Sequence, residues 1–550
     1  MAISLILVGL IIVTWVICRY RRMTLLSRRG FPGPRPHFLF GNMFEIEANG
    51  GAGATYQKWH KQYGPIVGFY VGGVPSLVVA DPNLLTKVMI TDFATFNMHQ
   101  TIIKGGSNAV GPPADNIVLT RSVDYWRRLR TTVTPAFTSA QLRHMIPPIS
   151  AIIDTFVDKL RPLADCEEIA IAEHINRTTL GVISRVAFGL DLGYASSSAK
   201  TLHQADQMAD ALTKTVRVSL NEITCGKLML LFPEFTFIWW PIRLLIDHVL
   251  FLFSLTPESK MLDIARKALN TRKNAKSTVV GSSQRRDLMQ ILMEARQRLD
   301  HQFKDSDFEM NTSEAKVVKP NPIGQPSIVT NRIALNDDEV LSLIYVVVGA
   351  GYETTAAALQ YLMYNLANHQ VIQEQLRQEI AKIKVDDDGI FEYESLMFDS
   401  PLMEAVIRET LRLYPPVSQL VHRVADVDYH YEDRTIPAGV GIVSSVVPMH
   451  LSESYWPDPL TWNPFRHLTP DGQKLVAPPS PFAYQPFGNG PRNCVGMRLA
   501  YLEMNLALAK LLKKFRIVPG PSTQTGRLQT REEYITLSPA NPIYVKMELL

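Results

Sequence analysis

One cysteine in this chain lies in a loop that strongly restricts the local backbone. Cys494 has glycines on both sides within residues 487–500, a segment that also contains a proline and two arginines. Glycine lets the backbone turn sharply and lie close to a flat, bulky partner. Helix-forming residues with apolar side chains at helical spacing follow over 497–515. We therefore expect the sulfur beside a helix N-terminus, where unpaired N–H groups and the helix dipole favour a thiolate.

The residues around this cysteine suit the binding of an iron porphyrin. A thiolate on a glycine-rich loop can ligate the iron, and Arg492 can meet an anionic propionate. An ordinary buried thiol is the alternative for any lone cysteine. Composition alone would produce the pattern Phe487-x-x-Gly490-x-Arg492-x-Cys494-x-Gly496 in on the order of one chain in ten thousand or fewer. The pattern resembles the haem-binding loop of the cytochrome P450 monooxygenases, which implies that Cys494 is the axial iron ligand and that the other four residues hold the cofactor.

Length and charge exclude several classes of protein. The 550 residues, 46% of them hydrophobic, can bury a large core, and length alone permits roughly two to four domains. The net charge of +4 is small, and no zinc-finger spacing or basic repeat is present, which argues against nucleic acid as a partner. The cysteines Cys18, Cys166, Cys225 and Cys494 form no CxxC pair, which argues against a disulfide framework and suits a reducing compartment.

The N-terminus predicts a membrane anchor. Residues 2–18 carry no charge, which is close to the lower limit of about 17–25 residues for a membrane-spanning helix. Arginines follow this segment at positions 19, 21, 22, 28 and 29, whereas a cleaved signal peptide carries its positive charge first. We predict a signal-anchor over 1–18 whose basic side, with the rest of the chain, stays in the cytosol. A basic and proline-rich hinge over 19–50 follows.

A second apolar run, over 228–255, is predicted to lie at the bilayer surface. Pro233 and Pro241 interrupt it, and Glu234, Arg243 and Asp247 would each cost about 2.5–3.5 kcal/mol in hydrocarbon. An interfacial segment fits better than a second span, and ordinary core helices are the alternative. The resemblance implies that this region caps the substrate pocket, with candidate pocket segments over 97–119 and 205–237. The polar stretch 273–334 predicts a surface insertion that is flexible at least from residue 305.

An apolar helix capped by Asn336 is predicted to present polar groups to the cofactor. Its centre reads Ala350-Gly351-Tyr-Glu353-Thr354-Thr, and a glycine there leaves space for a flat group. A threonine bonded to the preceding turn, beside a surface glutamate, is the alternative reading. The resemblance implies that Ala350 and Gly351 contact the haem on the oxygen-activating helix, and that Thr354 and Glu353 relay protons.

Further arginines are expected at the haem propionates. Trp126 and Arg130 are four residues apart, so they share one helix face and could both reach a carboxylate. An exposed basic helix is the alternative. The resemblance implies that this pair and Arg423 clasp the propionates.

A structural triad is expected on the cysteine side of the haem. Glu409 and Arg412 are i,i+3 neighbours, and a weak surface pair is the alternative to a buried one. Arg466 can share the carboxylate of Glu409, as the resemblance implies. Phe465 replaces the glutamate that the family usually has before this arginine, and His467 replaces the usual aromatic residue.

The remaining patterns define the fold class. Alternation over 67–79 around Gly72-Gly73 predicts a β-hairpin, residues 427–447 read as strands, and 535–547 read as a closing hairpin. We expect a mainly α protein with a small β-rich region, arranged as a cytochrome P450 fold after one transmembrane helix. The haem-containing catalytic domain is expected over 51–550.

The motifs follow the family's order over nearly the whole chain and look most like the microsomal branch that oxidises drugs and steroids. The resemblance implies a monooxygenase of the endoplasmic reticulum membrane. It would use haem b and insert one oxygen atom of O2 into a lipophilic steroid, fatty acid or xenobiotic. Electrons would come from NADPH through a flavoprotein reductase, with a cytochrome b-type protein as a further candidate donor. The docking surface is expected to include Arg127, Arg128, Lys510, Lys513 and Lys514.

Two other functions remain open at this point. A haem-thiolate isomerase or dehydratase of lipid peroxides would not need the pair Glu353-Thr354. A haem-carrying, lipid-binding membrane protein would have no turnover at all.

Overall fold

The computed structural model describes residues 2–96, 116–118, 120, 122–165, 168–190, 192, 208, 224–252, 257–275, 287–295, 335–419, 422–533 and 536–550. The α-helices of the first half are α1 (Ala2–Met23), α2 (Leu25–Arg28), α3 (Met43–Ala48), α4 (Ala52–Tyr63), α5 (Pro82–Thr86), α6 (Val123–Val133), α7 (Ser139–Leu160), α8 (Ile171–Phe188), α9 (Thr224–Leu231), α10 (Thr236–Leu252), α11 (Pro257–Ala275) and α12 (288–295). Those of the second half are α13 (Asp337–Asn368), α14 (Gln370–Ile380), α15 (Tyr393–Phe398), α16 (Pro401–Leu413), α17 (Val446–His450) and α18 (Met497–Leu512). The strands are β1 (Ile66–Val71), β2 (Val74–Val79), β3 (Ile169–Ala170), β4 (His422–Val424), β5 (Tyr429–Tyr431), β6 (Arg434–Ile436), β7 (Gly441–Ser444), β8 (Phe515–Val518), β9 (Thr530–Glu533), β10 (Thr536–Pro539) and β11 (Tyr544–Leu549).

The first helix has the length and composition of a membrane span. Ile3–Met23 has a mean hydropathy of 2.2, and nearly all of its apolar side chains are exposed. The helix contains the predicted anchor and continues through the arginines to Met23. Helix α13 also passes the length and composition test, but more than half of it is buried among other helices, as expected for a core helix.

The small β region is built on the predicted hairpin. Strands β1 and β2 pair antiparallel with Val71 opposite Val74, and Gly72 takes a positive φ of 57° in the turn. Strand β7 adds to β2 in parallel and β4 adds to β7, which gives the order β1-β2-β7-β4. The predicted strand region 427–447 is wrong at its end, because residues from Val446 onward form α17.

The predicted closing hairpin over 535–547 is also wrong. Strand β10 pairs with the preceding strand β9, whereas β11 pairs with β8 and β3 in another sheet. The alternation of a sequence indicates which side chains share a face of a strand, but it does not identify the strand's partner. The prediction that β10 and β11 pair with each other therefore fails.

The helical core surrounds α13. Its N-terminus has the predicted cap, with the Asn336 side chain accepting from the Glu339 N–H and the Glu339 carboxylate accepting from the Asn336 N–H, both at 2.8 Å. Helix α18 ends at Leu512 rather than at 515, because Phe515 is buried and pairs with Leu549 as the first residue of β8. Most of the two candidate pocket segments, and most of the predicted insertion over 273–334, lie outside the described residues. The prediction of a surface insertion is wrong over 288–295, because α12 buries Leu288, Met289 and Leu292 in the core.

Candidate active site

One cavity lies between α13 and the cysteine loop, and it brings together most of the predicted cofactor residues. These are Trp126, Arg130, Ala350, Gly351, Thr354, Arg423, Phe487, Arg492, Cys494 and Gly496. The remaining walls are mainly apolar, with Ile117, Val118, Val133, Phe137, Ile183, Leu343, Val346 and Val347 among them. Residues that are far apart in the sequence therefore converge on one apolar space with a sulfur on one side.

The cysteine loop is held by short backbone hydrogen bonds. The Cys494 N–H donates to the Phe487 carbonyl at 2.9 Å, and the Asn493 N–H donates to the Gly490 carbonyl at 3.0 Å. Gly490 has a φ of +72°, and a Cβ there would lie 1.9 Å from the Met89 carbonyl oxygen. The glycine is thus required by the turn and by its contact with Met89, and Gly490 does not line the cavity in the described part of the chain.

The sulfur lies at the start of α18, as predicted, with Gly496 as the N-cap. Its side chain is exposed to the cavity, although protein surrounds the cavity itself. Burial raises the pKa of the Cys494 thiol, while the N–H groups of Gly496 and Met497 and the charge of Arg130 act in the opposite direction. The helix end alone therefore does not outweigh burial here, and binding of a metal to the sulfur would supply the remaining stabilisation of the thiolate.

Three arginines direct positive charge into the cavity. The Arg492 guanidinium lies 4.5 Å from the centre of the buried Trp126 ring, and within the described part of the chain its three nitrogens have no hydrogen-bond partner. Burial lowers the pKa of Arg492 to about 9 and that of Arg423 to about 10. Buried cations are normally paired with anions. This arrangement fits a porphyrin, because its iron would accept the sulfur and its two propionates would pair with the arginines.

Arg130 does more than face the cavity. Its guanidinium donates to the Asn493 carbonyl and to Asn493 Oδ1, both at 2.8 Å. Burial lowers the pKa of Arg130, and the nearby Cys494 acts against this shift. Arg130 thus fixes the residue next to the sulfur, a contact that the sequence did not suggest.

The α13 face of the cavity differs in two respects from what the sequence suggested. The Thr354 hydroxyl donates to the Ala350 carbonyl at 2.6 Å, which is the bond to the preceding turn, and Glu353 does not line the cavity in the described residues. A Cβ at Gly351 would lie 2.7 Å from Cδ1 of Ile183 on α8. The glycine therefore leaves room for a neighbouring helix, although its backbone also borders the cavity.

The three triad residues form a separate buried cluster. The Glu409 carboxylate receives two hydrogen bonds of 2.8 Å from Arg412 and one of 3.0 Å from Arg466. His467 joins it, with Nε2 at 2.9 Å from the other Glu409 oxygen. Burial alone would raise the pKa of Glu409, but the contacts with Arg412 and His467 outweigh it and hold the pKa below its usual range. The departure at position 467 therefore adds a partner to the cluster.

Three residues near the site had no strong sequence signal. Gln485 lines the cavity, and its backbone N–H donates to Nε2 of the buried His450 at 2.8 Å. Nδ1 of His450 therefore donates to the Arg412 carbonyl at 3.0 Å, which links the ion cluster to the cavity wall. Glu503 also lines the cavity, and burial raises the pKa of its carboxyl group. Only its position on one helix face with Leu499, four residues earlier, could have indicated this.

The predicted docking cations are partly paired. Arg128 bonds to Glu339, Arg127 lies 3.5 Å from Asp124, and Lys510 lies 2.5 Å from Asp154. The Lys513 ammonium lies 4.4 Å from the centre of the Phe391 ring. The surface around the cysteine side thus carries both signs of charge.

The chain is similar to known proteins over nearly its whole length. A family model described as Cytochrome P450 matches residues 31–317 and 326–547. Cytochrome P450 3A14 of Cavia porcellus is 27% identical, covering 97% of this chain and 96% of its own. Lithocholate 6-beta-hydroxylase of Mesocricetus auratus is 28% identical over 95% and 92%, and cytochrome P450 3A25 of Mus musculus is 28% identical over the same shares.

These matches agree with the cavity, in which a cysteine at a helix N-terminus faces an apolar helix between buried arginines. The family resemblance predicted from the sequence is confirmed, together with the mainly α fold and its small sheets. The chain belongs to the cytochrome P450 family and is a haem-thiolate monooxygenase.

Proposed function

We propose that this cytochrome P450 hydroxylates steroids, fatty acids or xenobiotics that it takes from the endoplasmic reticulum membrane, with its catalytic domain in the cytosol. The observation that carries the proposal is the composition of the cavity, whose described lining combines the Cys494 thiol and three arginines with apolar walls. Such walls stabilise a lipophilic substrate by about 25 cal/mol per Å² of apolar surface buried. The name of the hamster relative, lithocholate 6-beta-hydroxylase, supports a steroid as one substrate.

The residues around the cavity have distinct tasks in this proposal. Cys494 would hold the iron of the haem, on a loop shaped by Phe487, Gly490 and Gly496. Trp126, Arg130, Arg423 and Arg492 would bind its propionates, and Ala350 and Gly351 would contact the porphyrin. Haem, when bound, activates O2, and a thiolate ligand favours O–O cleavage by donating electron density. The triad of Glu409, Arg412 and Arg466 stabilises the fold behind the cysteine loop.

Thr354 has the geometry to hold a water in the cavity. Because its hydroxyl donates its hydrogen bond to the Ala350 carbonyl, its oxygen keeps lone pairs that can accept a hydrogen bond from water. Glu353, the preceding residue, supplies protons from outside the cavity. Thr354→Ser should keep this function, whereas Thr354→Val should lower the product formed per NADPH by at least about tenfold. Equal coupling in the two variants would contradict the role of the hydroxyl.

Electrons come from a membrane-bound, NADPH-dependent flavoprotein reductase that docks on the cysteine side, and a cytochrome b-type protein is a second candidate donor. Lys513 and Lys514 follow the C-terminal end of α18, the helix whose N-terminal end starts at the cysteine loop. Their positive charge is what an acidic surface of the reductase would recognise. Replacing both by glutamate should slow reduction of the haem and weaken its dependence on salt. Unchanged reduction would rule out this surface.

The proposed activity is tested by a spectral binding screen of lipophilic compounds, followed by turnover with reductase. We expect substrate-dependent consumption of NADPH and O2 and a hydroxylated product. Product formation without NADPH would indicate the isomerase or dehydratase, and binding without any product would indicate the lipid-binding protein.

The proposal also divides the chain into a signal-anchor (1–18), a hinge (19–50) and a catalytic domain (51–550). Deletion of the residues before position 19 tests this division and should weaken membrane attachment.

A further inference from the structure

The first helix touches the rest of the protein through one narrow face. Trp15 and Arg19 are one helical turn apart and turn inward, whereas their neighbours, such as Ile17 and Tyr20, are exposed. The Arg19 side chain is 0% exposed. An arginine inside a candidate membrane span is costly unless it is paired, so its partners decide what this contact does.

Arg19 is held from three directions. Its Nε donates to the Phe38 carbonyl at 2.9 Å, Nη2 donates to the Leu39 carbonyl at 2.8 Å, and Nη1 lies 3.4 Å from the Glu234 carboxylate. The guanidinium fork has a fixed geometry, so bonds on three sides also fix the direction of the helix that carries it. The partners lie in the proline-rich hinge and in the turn Pro233–Phe235 directly before α10.

The β1–β2 turn leaves the space for this side chain. A Cβ at Gly73 would lie 1.9 Å from Arg19 Nη1 and 2.8 Å from Pro233. The Gly73 N–H donates to the Leu230 carbonyl at the end of α9, at 2.8 Å. The turn of the predicted hairpin therefore packs against the junction of the anchor, the hinge and α10.

Aromatic rings extend the same contact. The Trp15 ring lies 5.8 Å from Phe38, 6.2 Å from Phe232 and 6.1 Å from Phe235, measured between ring centres. Aromatic pairs at such distances attract each other beyond the effect of the area that they bury. The anchor thus packs directly on the segment that leads into α10.

Helix α10 continues the apolar surface of the anchor. Phe237 is 72% exposed, and Ile242, Leu245 and Ile246 on the same helix are also exposed. This surface adjoins a helix that is apolar enough to cross a bilayer, and Arg22, at the polar end of that helix, lies 3.5 Å from Glu234. Apolar side chains continuous with a membrane span and flanked by arginines fit a lipid surface.

We infer that Arg19 and Glu234 clamp the anchor helix to α10, so that both enter the same bilayer surface as one rigid unit. The inference rests on the membrane attachment proposed above. It assigns to the pair the task of setting the angle of the catalytic domain on the membrane. A free linker over the hinge would leave that angle undefined.

Pulsed electron spin resonance on the full chain in lipid nanodiscs tests the clamp. Spin labels are placed at Leu10→Cys in the anchor and at the exposed Val371→Cys in the body, with Cys18, Cys166 and Cys225 changed to serine and the haem in its diamagnetic ferrous carbonyl form. We expect a narrow distance distribution in this parent protein. The double variant Arg19→Ala with Glu234→Gln, which removes both charges of the buried pair, should broaden it about twofold as the anchor samples a range of angles.

Two further variants sharpen the test. Gly73→Ala should also broaden the distribution, because its Cβ displaces the Arg19 guanidinium without changing the anchor. Arg22→Ala is the matched control, since its side chain is partly exposed and its pair with Glu234 should contribute little. The inference would be overturned if the distance distribution of the double variant were as narrow as that of the parent protein. It would also be overturned if the distribution of the parent protein were as broad as that of the double variant.

The position of α10 is measured separately. A fluorescent probe at Phe237→Cys should be quenched by brominated lipids in the parent protein, and quenching should fall about twofold in the double variant as the probe leaves the lipid for part of the time. An unquenched probe in a protein that resists alkaline carbonate extraction would overturn the inference but not the membrane attachment. Extraction of the whole protein would overturn the attachment itself. Energy transfer between probes that rises with protein density would identify a second copy as the occupant and also overturn the inference.

Discussion

Two buried charged clusters lie on either side of α16 and have opposite properties. Around Glu409, the carboxylate, two guanidiniums and an imidazole satisfy one another, and the backbone carbonyls of His450 and Pro459 take further bonds from Arg412. In the cavity, Arg423 donates to the His422 carbonyl at 2.9 Å, whereas the three nitrogens of Arg492 have no hydrogen-bond partner among the described residues. The first cluster is complete in the polypeptide alone, whereas the second contains a buried cation that an anionic ligand could pair with. The difference separates a structural ion cluster from a binding site without reference to sequence motifs.

The largest effect is expected at the sulfur. Cys494→Ala removes the thiolate ligand, so turnover should fall at least about 100-fold, more than the loss of a group that only supports a ligand. The ferrous carbonyl spectrum should lose its thiolate signature. Cys18 is an exposed cysteine on the anchor, so Cys18→Ser should leave turnover and the ferrous carbonyl spectrum unchanged. A thiolate spectrum in Cys494→Ala would contradict the assignment.

Breaking the ion cluster around Glu409 should lower the free energy of unfolding more than breaking an exposed ion pair of the same spacing. Glu409→Gln leaves the buried charge of Arg412 without its anion, and we expect a loss of about 3–5 kcal/mol in the free energy of unfolding. Glu374 and Arg377 have the same i,i+3 spacing but are partly exposed, so Glu374→Gln should cost less than about 1 kcal/mol. Denaturant unfolding of both variants checks the difference, and equal losses would contradict it.

Substitutions among the cavity arginines should change the affinity for haem rather than the stability of the haem-free protein. Arg492→Met removes a buried cation whose nitrogens have no hydrogen-bond partner among the described residues, so relief of its desolvation should offset the lost contact with Trp126, and the haem-free protein should lose less than about 1 kcal/mol of stability. Haem affinity should fall by about 1.5–3 kcal/mol through the lost charge-assisted bonds. Arg412→Met, in the complete cluster, should destabilise the haem-free protein instead. Unfolding of the haem-free proteins and transfer of haem to a scavenger globin measure the two effects. A loss of stability in haem-free Arg492→Met as large as that in haem-free Arg412→Met would contradict the distinction between the two clusters.

Counted per pH unit, the smallest effect is expected in the pH dependence of stability at the junction of the two clusters. Burial lowers the pKa of His450 from 6.5 to about 3. The unfolded chain therefore binds more protons, and stability is lost as the pH falls from about 6.5 towards 3, by up to about 1.4 kcal/mol per pH unit. His450→Gln keeps one donor and one acceptor but does not titrate, so its stability should fall less steeply between pH 6 and 4. If stability fell equally steeply in His450→Gln and in the unmodified protein over that range, His450 would be excluded as the source of the pH dependence.

The sequence located the short-range features better than the long-range contacts. The cap at Asn336 and the hairpin at Gly72-Gly73 depend on residues a few positions apart, and both are present as predicted. The bond from Arg130 to Asn493 spans more than 360 positions, and no local pattern identifies it. Gly351 shows the same limit, because the sequence marks a missing side chain but cannot name Ile183 as the neighbour that uses the space.

The contact between Gly490 and Met89 has a mechanical consequence for the sulfur. Met89 lies in the π-helical turn Lys87–Thr91 that continues α5, and its carbonyl abuts the cysteine loop where even one extra carbon atom would collide. The sulfur therefore cannot recede unless this turn, which follows the β1–β2 hairpin, recedes with it. The turn after α5 thus limits where the cysteine loop can lie, although none of its residues lines the cavity in the described part of the chain.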